Sequence, residues 1–257
     1  MSAKYTKFAG FYDGLTRNVD YKKRAAYIAE LLKRIGHTPG LTLDLACGTG
    51  SLTVELCKMG FDIFGADSSQ DMLSIAQQKA CEQGLDILFL RQKMQELDLY
   101  GTIDTCICTL DSLNHLTVKS DVQKTFDKVS LFMNPGGVFL FDVNTVYKHR
   151  EILRGNTFIY DTSDVYCIWQ NTPDRGRDTV HITLDFFERE GALYRRSGES
   201  FSERAYPHGE LCAMLDTAGF DLVSVYGELS LEAPEKDSQR NVYLARKRSY
   251  PDENSKE

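Results

Sequence analysis

Residues that can hold a positively charged ligand follow the first strongly apolar stretch of the chain. This segment, residues 43–50, reads Leu-Asp-Leu-Ala-Cys-Gly-Thr-Gly and combines the carboxylate of Asp44 with Gly48 and Gly50. Glycine lets the backbone turn sharply and lets a ligand approach the peptide groups. A carboxylate beside such a turn repels a phosphate and attracts an ammonium or sulfonium group, directly or through water. The pattern therefore favours a cationic ligand over this loop.

The spacing disfavours two common nucleotide-binding turns. A dinucleotide fingerprint needs a third glycine or an alanine where this chain has Thr53. The phosphate loop of nucleoside triphosphatases needs a lysine directly after its last glycine, where this chain has Ser51. A dinucleotide-dependent oxidoreductase is thus a disfavoured alternative, and a preference for a reduced nicotinamide would be its signature.

The segment resembles the first motif of the class I S-adenosylmethionine-dependent methyltransferases, in which an acidic residue precedes a short glycine-rich turn. The resemblance implies the cofactor S-adenosyl-L-methionine, the product S-adenosyl-L-homocysteine and no metal. Asp67, at the end of the second predicted strand, would then hold the cofactor ribose. Met72 would pack against adenine, with ordinary core packing as an equal alternative. The implied cofactor-binding residues are Asp44, Ala46, Cys47, Gly48, Thr49, Gly50, Asp67, Ser68, Met72, Met94, Gln95, Leu110 and Asp111.

One position departs from the family pattern. After the third predicted strand the family often supplies an acid to the adenine amino group, and this chain has Lys93 followed by Met94 and Gln95. The resemblance therefore leaves three possibilities for adenine: a backbone group, Gln95, or no polar contact.

A polar cluster after the fourth predicted strand is the expected reaction site. Asp111, Asn114 and His115 could orient the amino-acid part of the cofactor or take a proton from the acceptor. Capping of a short helix by Asp111 or Ser112 is the structural alternative. For His115 alone, a structural role is at least as consistent with the sequence as a chemical one.

Aromatic residues crowd the N-terminal segment and predict either a lid over the sulfonium and acceptor or a helix docked on the sheet. Tyr12 is the catalytic candidate of this segment, beside Asp111 and His115. Four further residues are candidates for substrate binding: Tyr5, Tyr21, Arg204 and Tyr206.

The elements that must position these residues alternate between strands and helices. Strand and helix patterns with short turns through residue 145 predict an α/β fold with a doubly wound, mostly parallel sheet. Asn134-Pro135-Gly136-Gly137 predicts a turn before the strand at 138–141. Two closing strands, at 220–226 and 241–246, complete a seven-stranded, Rossmann-like sheet. The candidate residues follow strand ends, where ligands bind in such sheets.

The residue pattern changes after residue 150. Alternating polar and apolar residues predict an antiparallel β insert with strands near 157–161, 165–171, 178–188 and 193–203. The predicted division is a cofactor-binding methyltransferase domain, 1–150 plus 205–248, an insert covering the acceptor pocket, 151–204, and a disordered tail, 249–257.

Charge and motif content favour a small-molecule acceptor over nucleic acid. The formal net charge of −7 disfavours a large phosphate-binding surface. A basic patch at Lys148, His149, Arg150 and Arg154, with Arg195 and Arg196 of the insert, could meet an anionic acceptor, but a solvated surface is the favoured interpretation. A noncatalytic S-adenosylmethionine sensor or scaffold and an RNA methyltransferase are the remaining alternatives.

The seven cysteines show no CxxC pair and no His–Cys ligand spacing, which predicts reduced core cysteines. A nucleophilic cysteine, as in RNA cytosine methylation, is the alternative. No stretch approaches the roughly 18 apolar residues of a membrane span, so we expect no membrane association and a cytoplasmic location. The sequence leaves the oligomeric state open.

Overall fold

The strands of this protein form two separate sheets. The structure, a computed structural model, describes residues 19–162, 165–173 and 178–249. Tyr5 and Tyr12 and the predicted tail from residue 250 onward therefore lie outside the described residues. Within the described ranges, no helix combines the length and the apolar character that crossing a membrane requires.

The larger sheet confirms the predicted doubly wound α/β fold. Its strands are β1 (Leu41–Leu45), β2 (Asp62–Asp67), β3 (Phe89–Arg91), β4 (Ile103–Cys108), β5 (Met133–Asn144), β10 (Phe220–Gly227) and β11 (Arg240–Lys247). They lie in the order β10-β11-β5-β4-β1-β2-β3. The strands from β1 to β5 pair in parallel, and β11 is antiparallel to both of its neighbours. The final two strands are thus the predicted antiparallel hairpin.

In the part of the chain that the structure describes, five α-helices cover the two faces of this sheet. They are α1 (Tyr21–Arg34), α2 (Ser51–Lys58), α3 (Gln70–Glu82), α4 (Lys119–Phe132) and α5 (His208–Thr217). Alternation along β5 sends Phe139 and Phe141 into a core with Phe126 of α4, and Leu140 into a second core with Ile28 of α1. Because both faces are covered, a central strand such as β5 is a nearly continuous apolar run.

The N-terminal end of β5 differs from the sequence prediction. The turn expected at residues 134–137 belongs to this strand, because Ile103 pairs with Met133 and Thr105 pairs with Val138. The intervening residues of β5 bulge away from β4, and Gly136 adopts a φ of 81° there. The Pro-Gly-Gly sequence encodes this irregularity in place of a separate turn.

The smaller sheet confirms the predicted antiparallel insert. It consists of β6 (Thr157–Asp161), β7 (Val165–Pro173), β8 (Thr179–Glu190) and β9 (Leu193–Arg204), paired in that order. Ile182, Leu184 and Phe186 alternate onto its buried face and pack with Leu153. The predicted domain limits at residues 150, 204 and 248 remain predictions.

The seven cysteines are all free; three of them are buried as expected, Cys106, Cys108 and Cys167, and three are partly buried, Cys47, Cys57 and Cys212. Cys106 and Cys108 of β4 are fully buried in the same core cluster, as predicted. Cys81 is exposed, so the expectation of a core position is wrong for this residue. It lies near the end of α3, on the side of the helix that faces solvent.

Candidate functional site

The loop between β1 and α2, residues 46–50, is held in a left-handed conformation at several positions. Gly48 has a φ of 55°, and a β-carbon added there would have no atom within 4 Å. Gly50 has a φ of 70°, and its added β-carbon would lie 2.8 Å from the β-carbon of Ala76 in α3. Gly48 thus leaves open backbone beside a cavity, whereas Gly50 permits close packing of the loop on a helix.

Asp67, at the end of β2, fastens this loop. Its carboxylate accepts hydrogen bonds from the backbone amides of Gly48, at 2.9 Å, and Ser69, at 2.8 Å. Burial raises the pKa of the Asp67 carboxyl, and the two amides act against this rise by stabilising the charged form. Ser69, in turn, caps α3 by accepting from the Met72 amide.

Asp44 lies beneath the loop. It is 2% exposed, and its carboxylate accepts a 2.6 Å hydrogen bond from the Thr53 hydroxyl. Burial raises the pKa of Asp44 to about 7. The threonine that departs from the dinucleotide fingerprint therefore holds the carboxylate that the sequence singled out.

A cavity of about 390 Å³ runs from this loop to the second sheet. Nine of the sequence-predicted residues line it: Ala46, Gly48, Asp67, Ser68, Met72, Met94, Leu110, Asp111 and His115. A smaller adjoining cavity of about 30 Å³ is lined by Tyr21, Asp44, Cys47 and Thr49 among others. Gly50 lies in the loop and packs against α3. Gln95 is half-buried and lines neither cavity. The binding roles of these residues remain predictions.

Apart from Lys148, the far wall of the cavity comes from residues that the sequence did not single out for the site. Apolar side chains there belong largely to the second sheet: Leu153, Tyr160, Trp169, Leu184 and Phe201. Polar side chains complete this end of the cavity: Asn144, Lys148, Glu203 and Arg240. Strand alternation places Phe201 and Glu203 on the inner face of β9, a signal that could have been read from the sequence.

Asp142, near the end of β5, holds a strained turn beside the cavity. It is fully buried, and its two carboxylate oxygens accept from the backbone amides of Leu110, at 2.9 Å, and Asp111, at 2.7 Å. Both residues have positive φ angles, 57° and 55°. Such a conformation costs about 1–3 kcal/mol for a residue with a side chain, so the carboxylate stabilises a turn that the local sequence disfavours.

Two arginines neutralise the acidic groups around this turn. Arg240 donates to Asp111 at 2.6 Å and to Asp142 at 2.9 Å. Arg24 lies 3.4 Å from Asp142 and 2.5 Å from Glu228. Although burial opposes it, Arg240 holds the pKa of Asp111 below its usual value. The Asp111 side chain makes no helix-capping hydrogen bond, so the arginine contact replaces the structural alternative considered from the sequence.

Asn114 has a structural position. Its side chain is fully buried and binds both backbone groups of Asn144, accepting from the amide at 2.9 Å and donating to the carbonyl at 3.2 Å. It also donates to the carbonyl of Arg204 at 2.9 Å. Asn114 therefore joins the ends of β5 and β9, and a contact with cofactor or acceptor stays a prediction.

Glu203 connects the second sheet to the predicted reaction cluster. It is 3% exposed, and one carboxyl oxygen lies 3.7 Å from Nε2 of His115. The other carboxyl oxygen lies 3.8 Å from Nε2 of His149 and accepts a 3.4 Å hydrogen bond from the side-chain amide of Asn144. Burial raises the pKa of Glu203 to about 8 and lowers the pKa of His115. Burial therefore favours the uncharged form of both groups.

The same cluster has the spacing of a metal site. Ligand atoms of Asp111, His115 and Glu203 lie within 4.8 Å of one another. The guanidinium of Arg240, however, already donates a hydrogen bond to the carboxylate of Asp111, and its charge would repel a metal cation there. The donor set therefore fits the arginine better than it fits a metal ion.

Two predicted acceptor contacts point away from the cavity. The Tyr206 hydroxyl donates to the carbonyl of Leu116, and its ring is buried in the main core. The guanidinium of Arg204 lies 4.8 Å from the centroid of that ring. Neither side chain is among those that line the cavity of about 390 Å³, and acceptor contacts by both residues stay a prediction.

The predicted basic patch is not one solvated surface. Lys148 lines the cavity and His149 is buried. Arg150 forms an ion pair with Asp178 at 2.6 Å, and Arg154 is exposed. A turn of π-helix, Lys148–Leu153, divides these side chains between interior and surface.

Comparisons with known proteins agree on one family. The methyltransferase domain family matches residues 42–137. The methyltransferase YqeM of Bacillus subtilis is 35% identical over 95% of this chain and 97% of its own. The crystal structure of an S-adenosylmethionine-dependent methyltransferase from Clostridium acetobutylicum has a TM-score of 0.87 at 36% identity, covering 95% of this chain and 99% of that one. The S-adenosylmethionine-bound amino pentose methyltransferase CalS10 of Micromonospora echinaspora shares the fold, with a TM-score of 0.75 at 19% identity over 96% of this chain and 99% of that one.

Proposed function

The chain belongs to the class I S-adenosylmethionine-dependent methyltransferases, and from this premise we propose that it methylates a small molecule enclosed between the loop at 46–50 and the second sheet. The observation that carries the proposal is the single cavity of about 390 Å³ that joins these two elements. A cleft of this volume suits a small ligand, whereas a folded RNA is bound over an extended, positively charged surface. The formal net charge of −7 supports the same choice.

The residues around the loop fit the cofactor. The open backbone at Gly48 allows close approach, and Asp67 has a carboxylate that can accept from ribose hydroxyls beside its backbone contacts. Met72 and Met94 offer thioether side chains to adenine from the same cavity wall. Asp111 and the small cavity above Asp44 suit the charged amino-acid part. When bound, S-adenosylmethionine supplies an activated methyl group on a sulfonium.

The other end of the cavity orients the acceptor and excludes water. Trp169, Leu184 and Phe201 form an apolar wall that removes solvent from the acceptor. His115, 3.7 Å from Glu203, is placed to take the proton that a nucleophilic nitrogen or oxygen releases. Orientation and desolvation are the main contributions of the protein, because the methyl group arrives already activated. A cytoplasmic location and the absence of a metal stay predictions.

The test is the fate of a labelled methyl group. The protein is incubated with methyl-labelled S-adenosylmethionine and, separately, with a cellular fraction of small molecules and with total RNA. Label in the small-molecule fraction alone supports the proposal, and label in RNA alone contradicts it. Gly48→Val should abolish transfer, because a branched side chain would fill the open space over the loop. Gly84→Val is the matched control and should keep it, because Gly84 has a similar φ of 66° and equally open space but lies outside the loop.

A further inference from the structure

Lys148 presents an ammonium group to the cavity wall. It is the first residue of the π-helical turn after β5, and its Nζ donates a 3.0 Å hydrogen bond to Oδ1 of Asn144. Within the described ranges, Nζ of Lys148 makes no other hydrogen bond and no ion pair. An ammonium carries three donors, so two of them remain for another group.

The neighbouring cations are already neutralised. Arg240 binds Asp111 and Asp142, and Arg24 binds Asp142 and Glu228. Burial and then the charge of Arg240 lower the pKa of Lys148, while the carboxyl groups of Asp111, Glu203 and Glu228 oppose this shift. Among the described cations at this end of the cavity, Lys148 is therefore the one with charge left for a ligand.

Asn144 keeps this ammonium apart from the carboxyl group of Glu203. Its amide oxygen accepts from Lys148 at 3.0 Å, while its amide nitrogen donates to Glu203 at 3.4 Å. The backbone of Asn144 is clamped on both sides by Asn114. The side chains of Lys148 and Glu203 are thus held at opposite ends of the Asn144 side-chain amide, and both line the cavity.

We propose that Lys148 binds an acidic group, a carboxylate or a phosphate, of the methyl acceptor. This inference rests on the proposed function and deepens it by naming the substrate class. Because the wall beside Lys148 carries Trp169, Leu184 and Phe201, the rest of the acceptor is apolar. The substrate class is accordingly a small apolar acid, anchored by its charge and oriented by its body.

The test compares acids with their neutral amides. Phenylacetate and phenylacetamide, indole-3-acetate and indole-3-acetamide, and phenyl phosphate are titrated into protein saturated with S-adenosylhomocysteine. Binding is followed by calorimetry and ligand-observed NMR. The variants are Lys148→Met, which removes the charge, Lys148→Arg, which keeps it, and Arg154→Met, which removes an exposed charge six residues further along the chain. S-adenosylhomocysteine affinity is measured first for every protein.

The expected result is a preference for the acids of about tenfold or more, equal to about 1.4 kcal/mol, in the wild type, Lys148→Arg and Arg154→Met. Lys148→Met should bind acid and amide within about twofold of each other. Tighter binding of phenyl phosphate than of phenylacetate would identify the acid as a phosphate, and the reverse would identify a carboxylate.

Three results would overturn the inference. They are acids that bind no better than amides, a preference that survives in Lys148→Met, and loss of S-adenosylhomocysteine binding in Lys148→Met alone. Failure of the wild type to bind S-adenosylhomocysteine would instead contradict the proposed function. The two failures are therefore distinguishable in one series of samples.

Discussion

Replacing Asp142 with asparagine should destabilise the whole protein, because this side chain serves several partners at once. Its two carboxylate oxygens accept from the amides of Leu110 and Asp111 and also contact Arg24 and Arg240. Asparagine has nearly the same shape but offers one oxygen and one NH₂ group. The NH₂ group would face a backbone N–H, and the two arginines would lose a shared counter-charge.

The size of the effect follows from the burial of the group. Breaking a buried ion pair by removing one partner costs about 3–5 kcal/mol, and an unsatisfied buried amide costs about 1–3 kcal/mol. These costs overlap, because the same oxygens serve both purposes, so we expect a total of about 3–5 kcal/mol. For a chain of about this size each kcal/mol lowers the Tm by roughly 2–4 °C. The Tm of Asp142→Asn should therefore fall by about 10 °C.

Scanning calorimetry of the purified proteins measures this change. The matched control is Asp127→Asn on α4, where an exposed aspartate accepts from Gln123 at 2.8 Å. An exposed hydrogen bond contributes little, so the control should melt within about 2 °C of the wild type. A similarly small change in Asp142→Asn would refute the idea that this carboxylate stabilises the strained turn and the two arginines.

Three further predictions test other parts of the site. Gly50→Ala should lower the free energy of unfolding by about 1–3 kcal/mol, because Gly50 has a positive φ and packs closely. Gly48→Ala should lower it by about 1 kcal/mol and should mainly weaken S-adenosylmethionine binding. Thermal melts and titrations that rank the two variants the other way would contradict this. Because burial raises the folded-state pKa of Glu203 to about 8, its stabilising contribution is complete below its unfolded pKa and is lost as the pH rises through about 8. As the pH rises from 5 to 9, the free energy of unfolding of Glu203→Gln should thus gain on the order of 1–3 kcal/mol relative to that of the wild type. A difference in Tm between the two proteins that stays constant over this range would count against the assignment. Tyr206→Phe should lose about 1 kcal/mol of stability without changing the KM for the acceptor, and a changed KM would return this residue to the acceptor site.

The sequence predicted which residues gather around the loop at 46–50, because that end of the cavity consists of local patterns. A carboxylate, two glycines and a strand end lie within one short segment, and Asp67 follows the next strand directly. The strands of the insert were also predictable, since polar and apolar residues alternate along parts of them, as the buried residues Val180, Ile182, Leu184 and Phe186 of β8 show.

The acceptor side depends on contacts between distant parts of the chain. Glu203 meets His115 across 88 positions of sequence, and Arg240 reaches Asp111 from β11, at a separation of 129 positions. No local pattern indicates such pairs. The hydrogen bond from the Tyr206 hydroxyl to the carbonyl of Leu116 likewise joins residues 90 positions apart.

Calorimetric titration with S-adenosylmethionine, S-adenosylhomocysteine and NADH tests the central claim most directly, with Asp67→Ala as the variant and the exposed Asp62→Ala of the same strand as the control. We predict saturable binding of the first two ligands and none of NADH. Asp67→Ala should weaken binding by about 2 kcal/mol, or roughly thirtyfold, with Asp62→Ala unchanged. Binding of NADH alone, or equal affinity in Asp67→Ala and the wild type, would contradict the assignment of the cofactor site to this loop.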